Sequence, residues 1–470
     1  MSDPPRAGAV LLEGERIAEV GDAAVLAARR PGAPRVRVGR VTPGLHDAHV
    51  HPVAWGQALA ELRLDGLSDP RRVAERVAQR AADAPAGSWI RGGGYLFDHH
   101  PEIALLDEAA PYHPVLLTSR DMHSGWANSP ALERAGLTRG AADPPGGILL
   151  RHPDGTPTGV LLEGAVAAVA AAPPPPSRAD LERGLADLAG RGYTAVHAMT
   201  FEPAGALAWY EALARADALP LRVWYAVPRD AWRSSAPGRR GGDLDVAAVK
   251  LFVDGALGSR TAWMHEPYAD GGTGLNVAPL EELERELRAA CAAGWGAAVH
   301  AIGTRAVAEA IGVVGRVAPG AARPLRLEHV QHVRDADLTR LPGLGVALSL
   351  QPVHLLGDAE LVRRHLPGRE REAFRLRDLV ASGLPVAFGS DAPVADPEPA
   401  DGLRAATNHL LSSEQSLTEL ETLAAFTRGA ARAAGWDDCG VLAPGSRADL
   451  TLWEGGRVVG RVFRGEPSWL

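Results

Sequence analysis

Eight short apolar runs, separated by segments of helical periodicity, are the feature that most limits the folds open to this chain of 470 residues. Each run has the length of a strand, and the segments between them space apolar residues three or four positions apart, as in Leu280, Leu283 and Leu287. This alternation predicts parallel strands joined by helical crossovers. The predicted strands are Gly44–His51, Tyr193–His197, Leu221–Val227, Val246–Val253, Trp295–Ala301, Leu325–Val330, Val346–Gln351 and Val386–Asp391.

Eight is the number of parallel strands that closes a (β/α)8 barrel. The predicted fold class is therefore α/β, a TIM-like barrel, and a doubly wound open sheet is the alternative that the pattern leaves open. Because active sites of such barrels form at the carboxyl ends of the strands, polar residues at those ends are the candidates for chemistry.

Three regions are predicted around this barrel. The barrel itself takes residues 43–51 and 177–440. Residues 52–176 are too many for one crossover and contain repeated turn signals, so they are predicted to form an inserted subdomain after the first strand. Residues 1–42 and 441–470 read as short strands with turns, and the two chain ends are predicted to build one small β-sandwich domain.

Histidines and one aspartate stand at the ends of several predicted strands. His49 and His51 are two positions apart, so an extended backbone turns both imidazoles to the same side, where they can meet one cation. His300, His329 and Asp391 end three other predicted strands. Together they predict a metal site at the carboxyl face of the barrel.

Lys250 is the single lysine of the chain, since 48 of the 49 basic residues are arginines. A lysine amine can lose its proton when it is desolvated, and it can then act as a nucleophile or be carboxylated, whereas a guanidinium can do neither. The survival of one lysine on a predicted strand therefore indicates a chemical role there.

The overall composition excludes several classes of partner. The formal charge is −8 and no run of Lys or Arg is present, so neither a nucleic-acid nor an anionic-membrane partner is expected. Cys291 and Cys439 are too few for a disulfide framework or a thiolate zinc site. No apolar stretch approaches the roughly 20 residues of a membrane span, and no secretory signal is evident, so a cytoplasmic location is expected.

In its ordered series of motifs, the sequence resembles the metal-dependent amidohydrolase superfamily, in the YtcJ-like branch that includes N-substituted formamide deformylases. The resemblance covers nearly the whole chain. It is specific for the branch and does not specify a substrate. The motifs are Pro43–His51, Asp121–Ser129, Pro145–Glu163, Lys250–Thr261, Val299–Ala306, Glu328–Gln331, Ser349–Pro352, Gly389–Val394 and Val441–Asp449.

The resemblance implies a ligand set for one or two divalent cations per chain. One metal would be held by His49, His51 and Asp391, the other by His300 and His329, with an N6-carboxylated Lys250 bridging them. An ammonium of Lys250 beside a single metal is the rival role. Imidazole and carboxylate ligands suit Zn²⁺, and Fe, Mn or Co remain open.

The reaction implied is hydrolysis of an amide or related C–N bond by a metal-activated water, with Asp391 as general base. His123, in a motif of the inserted region, is a candidate for orienting the substrate or stabilising an oxyanion. His197 is a candidate lining residue of the barrel mouth, and His46 is expected not to be a ligand. The partner expected is a small-molecule amide, and a homodimer is compatible with the resemblance.

Two other function classes stay open. A deaminase-type hydrolase of a ring C=N bond would work with one metal and would not need a carbamate at Lys250. A binding protein that kept the barrel without catalysis would be expected to have lost ligands, whereas all six candidate ligand positions are intact here.

Overall fold

The computed structural model describes residues 8–64, 66–97, 99–119, 124–144, 146–199, 202–203 and 205–470. The chain divides into two compact units, one of residues 1–55 and 178–470 and one of residues 56–177. The first unit contains both chain ends and the large parallel sheet. The second overlaps the predicted insertion, residues 52–176, and the domain boundaries drawn from the sequence stay predictions.

The strands and helices follow in chain order. The strands are β1 Gly8–Glu13, β2 Arg16–Asp22, β3 Arg40–Pro43, β4 Leu45–Val50, β5 Leu62–Arg63, β6 Ile90–Tyr95, β7 Val115–Ser119, β8 Ser124–Ala127, β9 Gly147–Arg151, β10 Pro157–Glu163, β11 Tyr193–Ala198, β12 Arg222–Val227, β13 Gly238–Arg240, β14 Leu244–Phe252, β15 Gly296–Ala301, β16 Leu325–His329, β17 Ala347–Leu350, β18 Val386–Phe388, β19 Leu450–Glu454, β20 Arg457–Phe463 and β21 Glu466–Trp469. The α-helices are α1 Ala23–Arg29, α2 Pro52–Ala60, α3 Pro70–Asp83, α4 Ile103–Ala109, α5 Ser129–Arg134, α6 Gly164–Ala170, α7 Arg178–Gly190, α8 Ala206–Arg215, α9 Leu280–Ala292, α10 Thr304–Val317, α11 Asp335–Leu338, α12 Leu355–His365, α13 Leu376–Ala381, α14 Pro399–Thr407, α15 Glu419–Ala424 and α16 Ala430–Ala433.

The eight predicted strands form one parallel sheet in the order β4-β11-β12-β14-β15-β16-β17-β18. Every residue of β4, β11 and β12 is buried, as expected for strands covered on both faces. The short strand β13 adds to β14 in the antiparallel direction. The prediction of a TIM-like barrel is confirmed, and the open-sheet alternative is wrong because the last strand returns to the first.

The closure between β18 and β4 is made just beyond the end of β18. The amide of Asp391 donates to the His49 carbonyl at 2.6 Å, and the His51 amide donates to the Ala392 carbonyl at 2.9 Å. Gly389 permits this approach, since a Cβ at that position would lie 2.3 Å from the His49 nitrogen. The same closure therefore brings Asp391 beside His49 and His51 at the end of the first barrel strand.

The chain ends meet in antiparallel β-structure. β19 pairs directly with β3 and continues through β20 to β21, while β1 and β2 form a hairpin. Ile17 packs with Leu450, Leu452 and Val462 in one apolar cluster. Residues from both chain ends thus share a core, as the sequence predicts.

The second unit is built on a six-stranded sheet of order β5-β6-β7-β8-β10-β9. Alternation along β7 sends Leu117 to a cluster on one face and Leu116 to a cluster on the other. Asn128 is fully buried, caps α5 through the Ala131 amide and also binds the Val115 amide, so its role is structural. Trp126 is core as well.

His123 and Asp121, predicted to lie near the active site, fall outside the described residues. None of the helices in the described part of the chain combines the length and the hydropathy that crossing a bilayer requires.

Candidate metal centre

Three of the predicted ligands converge at the carboxyl ends of β4, β16 and β18. One ligand atom each from His49, His329 and Asp391 lies within 4.8 Å of the other two, and all three residues are buried. Their chemistry, two imidazoles and a carboxylate, fits a divalent cation such as Zn²⁺. The structure therefore places a candidate metal triad where the sequence expects the site.

His51 joins this group through the carboxylate. Its Nε2 lies 3.0 Å from Oδ1 of Asp391, and Nε2 of His49 lies 3.5 Å from the same oxygen. The two imidazoles have ring centroids 5.7 Å apart. The two-residue spacing thus turns both histidines toward one atom, as the extended backbone predicts.

Left-handed backbone shapes the ends of two of these strands. His329 has φ 71° and Val330 φ 46°, and Asp391 has φ 61°. Non-glycine residues adopt this conformation rarely, and such strain concentrates at functional sites. At β16 it interrupts the alternation of the strand, so that Glu328 and His329 both contact the ring of His49.

Glu328 and Arg326 fix the orientation of His49. His49 Nδ1 donates to Glu328 Oε2 at 2.7 Å, and the guanidinium of Arg326 donates to both carboxylate oxygens, at 2.8 and 3.2 Å. Both side chains are fully buried. Because the proton of His49 is held on Nδ1, its Nε2 presents a lone pair to the candidate metal centre.

The protonation states match those that a metal site needs. Burial, with a further contribution from the charge of Lys250, lowers the pKa of His49 to about 4 and that of His300 to about 3. Burial alone would raise the pKa of Asp391, but His49 and His51 hold it well below its usual value. Neutral imidazoles and an ionised carboxylate are the forms that bind metal.

His300 lies next to the triad. Its ring centroid is 4.5 Å from that of His329, and its Nε2 contacts the Gly255 carbonyl oxygen at 3.1 Å, which leaves Nδ1 for a cation. Asp254 supports this strand end by accepting the amides of Ile302 and Gly303 at 3.0 and 2.8 Å. The division of His300 and His329 as ligands of a second metal stays a prediction.

Lys250 is a buried amine without a hydrogen-bond partner among the described residues. Its Nζ lies 4.9 Å from the centroid of Phe252. Burial lowers the pKa of Lys250 to about 8, although the charges of Glu328 and Asp391 oppose this. An unpaired polar group at full burial is rare in a folded protein and indicates a functional role for this amine.

His197 and His46 do not join the triad. His197 Nδ1 lies 2.7 Å from Arg326 Nη1 and accepts a hydrogen bond from it, and the His197 ring packs against Trp224. His46 packs edge-on against His197 at 5.7 Å, and burial lowers the pKa of His46 to about 3. Both pack within the barrel, and the expectation that His46 is not a ligand stays a prediction.

Three residues near the centre were given no role from the sequence: Arg326, Glu328 and His354. His354 follows β17 on a single 3₁₀ turn, Pro352–His354, and its Nε2 lies 3.8 Å from Oδ2 of Asp391. Glu328 could have been suspected from its position next to His329 within the motif. The pairing of Arg326 with Glu328 has no comparable signal in the sequence.

The comparisons with known proteins agree with this geometry. The family model described as "Amidohydrolase family" matches residues 39–464. The chain belongs to the amidohydrolase family. The match spans the barrel together with β3, β19 and β20 of the terminal β-structure, so the assignment covers the elements that carry the site.

Individual relatives place this amidohydrolase among proteins of similar length. It is 33% identical to the protein LONG AFTER FAR-RED 3 of Arabidopsis thaliana, over 88% of this chain and 77% of that protein. It is 30% identical to YtcJ of Bacillus subtilis (strain 168), over 88% and 83%. It is 28% identical to the N-substituted formamide deformylase of Arthrobacter pascens, over 95% and 90%.

A solved structure is similar to this chain over nearly all of its length. A metal-dependent hydrolase from Pyrococcus furiosus superposes on this amidohydrolase with a TM-score of 0.79 at 25% identity, covering 95% of this chain and 94% of the other. The family match, the metal dependence of that neighbour and the candidate triad together support a metal-dependent hydrolase.

The hydrogen bond between His49 and Glu328 leads to a first prediction. Replacing Glu328 with Gln removes the negative charge that accepts the hydrogen bond from His49 Nδ1. Loss of such a hydrogen-bond partner typically weakens metal affinity by about 10–100-fold. Competition against a chelator measures this change. Glu284→Gln, at an exposed ion pair with Arg316, is the control and is expected to leave the affinity unchanged. Equal affinities for all three proteins would contradict the role given to Glu328.

Proposed function

We propose that this amidohydrolase cleaves the C–N bond of a small-molecule amide, either an N-formyl or N-acyl compound or a cyclic amide. The observation that carries this proposal is the convergence of His49, His51 and His329 on the ionised carboxylate of Asp391. The relative from Arthrobacter pascens, named for the deformylation of N-substituted formamides, supports a C–N substrate. The absence of any basic run supports a small, soluble substrate rather than a polyanion.

Asp391 is the general base of the proposed reaction. A divalent cation, when bound by the triad, supplies a water of lowered pKa and polarises the scissile carbonyl group. Asp391 accepts a proton from the attacking water as the new C–O bond forms. It returns that proton to the leaving nitrogen as the C–N bond breaks, so the products are a carboxylic acid and an amine.

Lys250 is proposed to carry a carboxyl group on Nζ. The neutral amine attacks carbon dioxide, an N–C bond forms and one proton leaves, which converts the side chain to an anion able to bridge two cations. Burial of Nζ and the lack of a partner for it among the described residues support this modification. The nearby charge of Arg326 would offset part of the added negative charge.

A single-metal enzyme of the deaminase type is the second candidate. It is favoured by one observation, that the described residues bring only three ligand atoms, those of His49, His329 and Asp391, within mutual reach of one cation. In that case Lys250 would act as an ammonium beside the metal. The number of metals per chain separates the two candidates.

Metal content of the wild type, Lys250→Ala and Lys250→Arg tests the proposal. Elemental analysis of protein purified without chelators is expected to give about two divalent metals per wild-type chain and clearly fewer in both variants, because neither alanine nor arginine can form a carbamate. One metal in all three proteins would favour the single-metal candidate. No metal in any of them would support a non-catalytic binding protein.

Carbon-13 NMR offers a direct view of the carbamate. Because the chain has one lysine, protein exchanged with labelled bicarbonate is expected to show one lysine carbamate resonance, and Lys250→Arg is expected to lack it.

A panel of formamides, N-acyl amines and cyclic amides, assayed by release of the amine, identifies the substrate class. Failure of the metal-loaded protein on the whole panel would count against C–N hydrolysis.

A further inference from the structure

His354 lies next to the carboxylate of Asp391, which is the proposed general base. Its Nε2 faces Oδ2 of Asp391 at 3.8 Å and has no hydrogen-bond partner among the described residues. Its side chain is only 9% exposed. A buried, unpaired nitrogen costs free energy unless a bound molecule satisfies it.

The two oxygens of Asp391 have different surroundings. Oδ1 faces the imidazoles of His49 and His51, and Oδ2 faces His354. A separation of 3.8 Å is too long for a direct hydrogen bond, but one atom to the side of the line that joins Nε2 and Oδ2 can lie about 3 Å from both. That is the place where a reacting group would contact base and imidazole together.

The position of His354 is fixed by its neighbours. Its ring lies nearly parallel to that of His329, with centroids 6.4 Å apart and planes at 21°. Asp358 is one helical turn further along α12, and its carboxylate accepts a hydrogen bond from Gln331 at 2.8 Å. Burial raises the pKa of Asp358, and the imidazole of His354 opposes this shift.

We propose that His354 donates a hydrogen bond from Nε2 to the scissile carbonyl oxygen as negative charge develops there. A lone pair on Nε2 would repel the carboxylate oxygen opposite it, so the tautomer with the proton on Nε2 is favoured. A donor aimed at a developing oxyanion in a water-poor site stabilises the transition state more than the ground state. This inference rests on the proposed C–N hydrolysis.

The test uses the full-length metal-loaded protein and the amide that the wild type hydrolyses fastest. His354→Phe keeps a ring but removes the donor, and it is expected to lower kcat by about 10²–10³-fold with little change in KM. His354→Gln keeps an N–H group and is expected to recover part of that loss. His365→Gln, at the last residue of α12, is the control and is expected to resemble the wild type.

Binding of a phosphonamidate analogue of that amide, measured by calorimetry, gives a readout besides turnover. Its affinity is expected to fall in His354→Phe by a factor similar to the fall in kcat, because the analogue resembles the tetrahedral transition state. Metal content and the midpoint of thermal unfolding are expected to stay at the wild-type values.

Three results would overturn the inference. Unchanged kcat and analogue affinity in His354→Phe would exclude the donor while leaving the proposed function intact. Loss of metal from that variant would make His354 a ligand or support of the metal centre instead. No hydrolysis of any amide by the metal-loaded wild type would overturn the proposed function and, with it, this role for His354.

Discussion

Replacing Arg326 with Met is expected to lower the free energy of unfolding by about 3–5 kcal/mol, because it leaves the Glu328 carboxylate buried and without its cation. Arg326 and Glu328 are both fully buried, and the guanidinium also donates to the Ala48 carbonyl at 2.7 Å. Although burial alone would raise the pKa of Glu328, Arg326 and His49 hold it well below its usual value. Without the arginine, that carboxyl must either take up a proton or remain an unpaired charge.

The double variant Arg326→Met with Glu328→Met separates the stability contributed by the ion pair from the cost of leaving one charge unpaired. Removing both charges together often costs far less than removing one, so the double variant is expected to be more stable than Arg326→Met alone. Urea unfolding, followed by tryptophan fluorescence, measures the differences. Arg316→Met, at an exposed ion pair with Glu284, is the control, for which a loss of less than about 1 kcal/mol is expected. A loss that small for Arg326→Met would show that the buried pair does not stabilise the barrel.

The strands of the barrel and the first ligands were predictable because they depend on local patterns. The buried runs are nearly continuous in apolar residues, and each observed barrel strand lies at a predicted run. The spacing of His49 and His51 depends only on extended backbone, which a strand provides. Asp391 could be assigned because it ends the last predicted run, at the carboxyl face where barrel active sites form.

Glu328 marks the limit of this reasoning. In a regular strand it would point away from its neighbour His329, so alternation does not predict that both side chains contact His49. The left-handed backbone of His329 and Val330 produces that arrangement. Residues other than glycine adopt this conformation rarely, so the sequence does not predict it. Arg326 was equally unpredictable, since its partner is recognised only once Glu328 is known to face inward.

His354 was missed for a related reason. It lies on a 3₁₀ turn after β17, and the direction of a side chain on such a turn depends on the packing of the loop rather than on any periodicity. From the sequence, His123 was the candidate for stabilising an oxyanion. It lies outside the described residues, so its role stays a prediction. In the described structure, His354 lies beside Oδ2 of Asp391, whereas His49 and His51 face Oδ1.

Asp391→Asn tests the centre of the proposed chemistry. The amide keeps the shape of the side chain and one ligand oxygen, but it cannot accept the proton of the attacking water. Loss of a general base typically costs about 10²–10⁴-fold in rate, and the upper part of that range is expected here because the same side chain is a proposed metal ligand. The measurement is kcat/KM for the best amide substrate, with metal content determined on the same samples.

Asp396→Asn provides the matched comparison five residues further along the chain. Asp396 is exposed at an ion pair with Arg191, so its substitution is expected to leave kcat/KM within about twofold of the wild type, as is usual for an exposed pair. If Asp391→Asn loses activity while keeping its metal, the loss belongs to proton transfer. If metal and activity fall together, the carboxylate acts chiefly as a ligand. Retention of more than about a tenth of the wild-type rate would exclude Asp391 as the general base and move that role to another group near the centre.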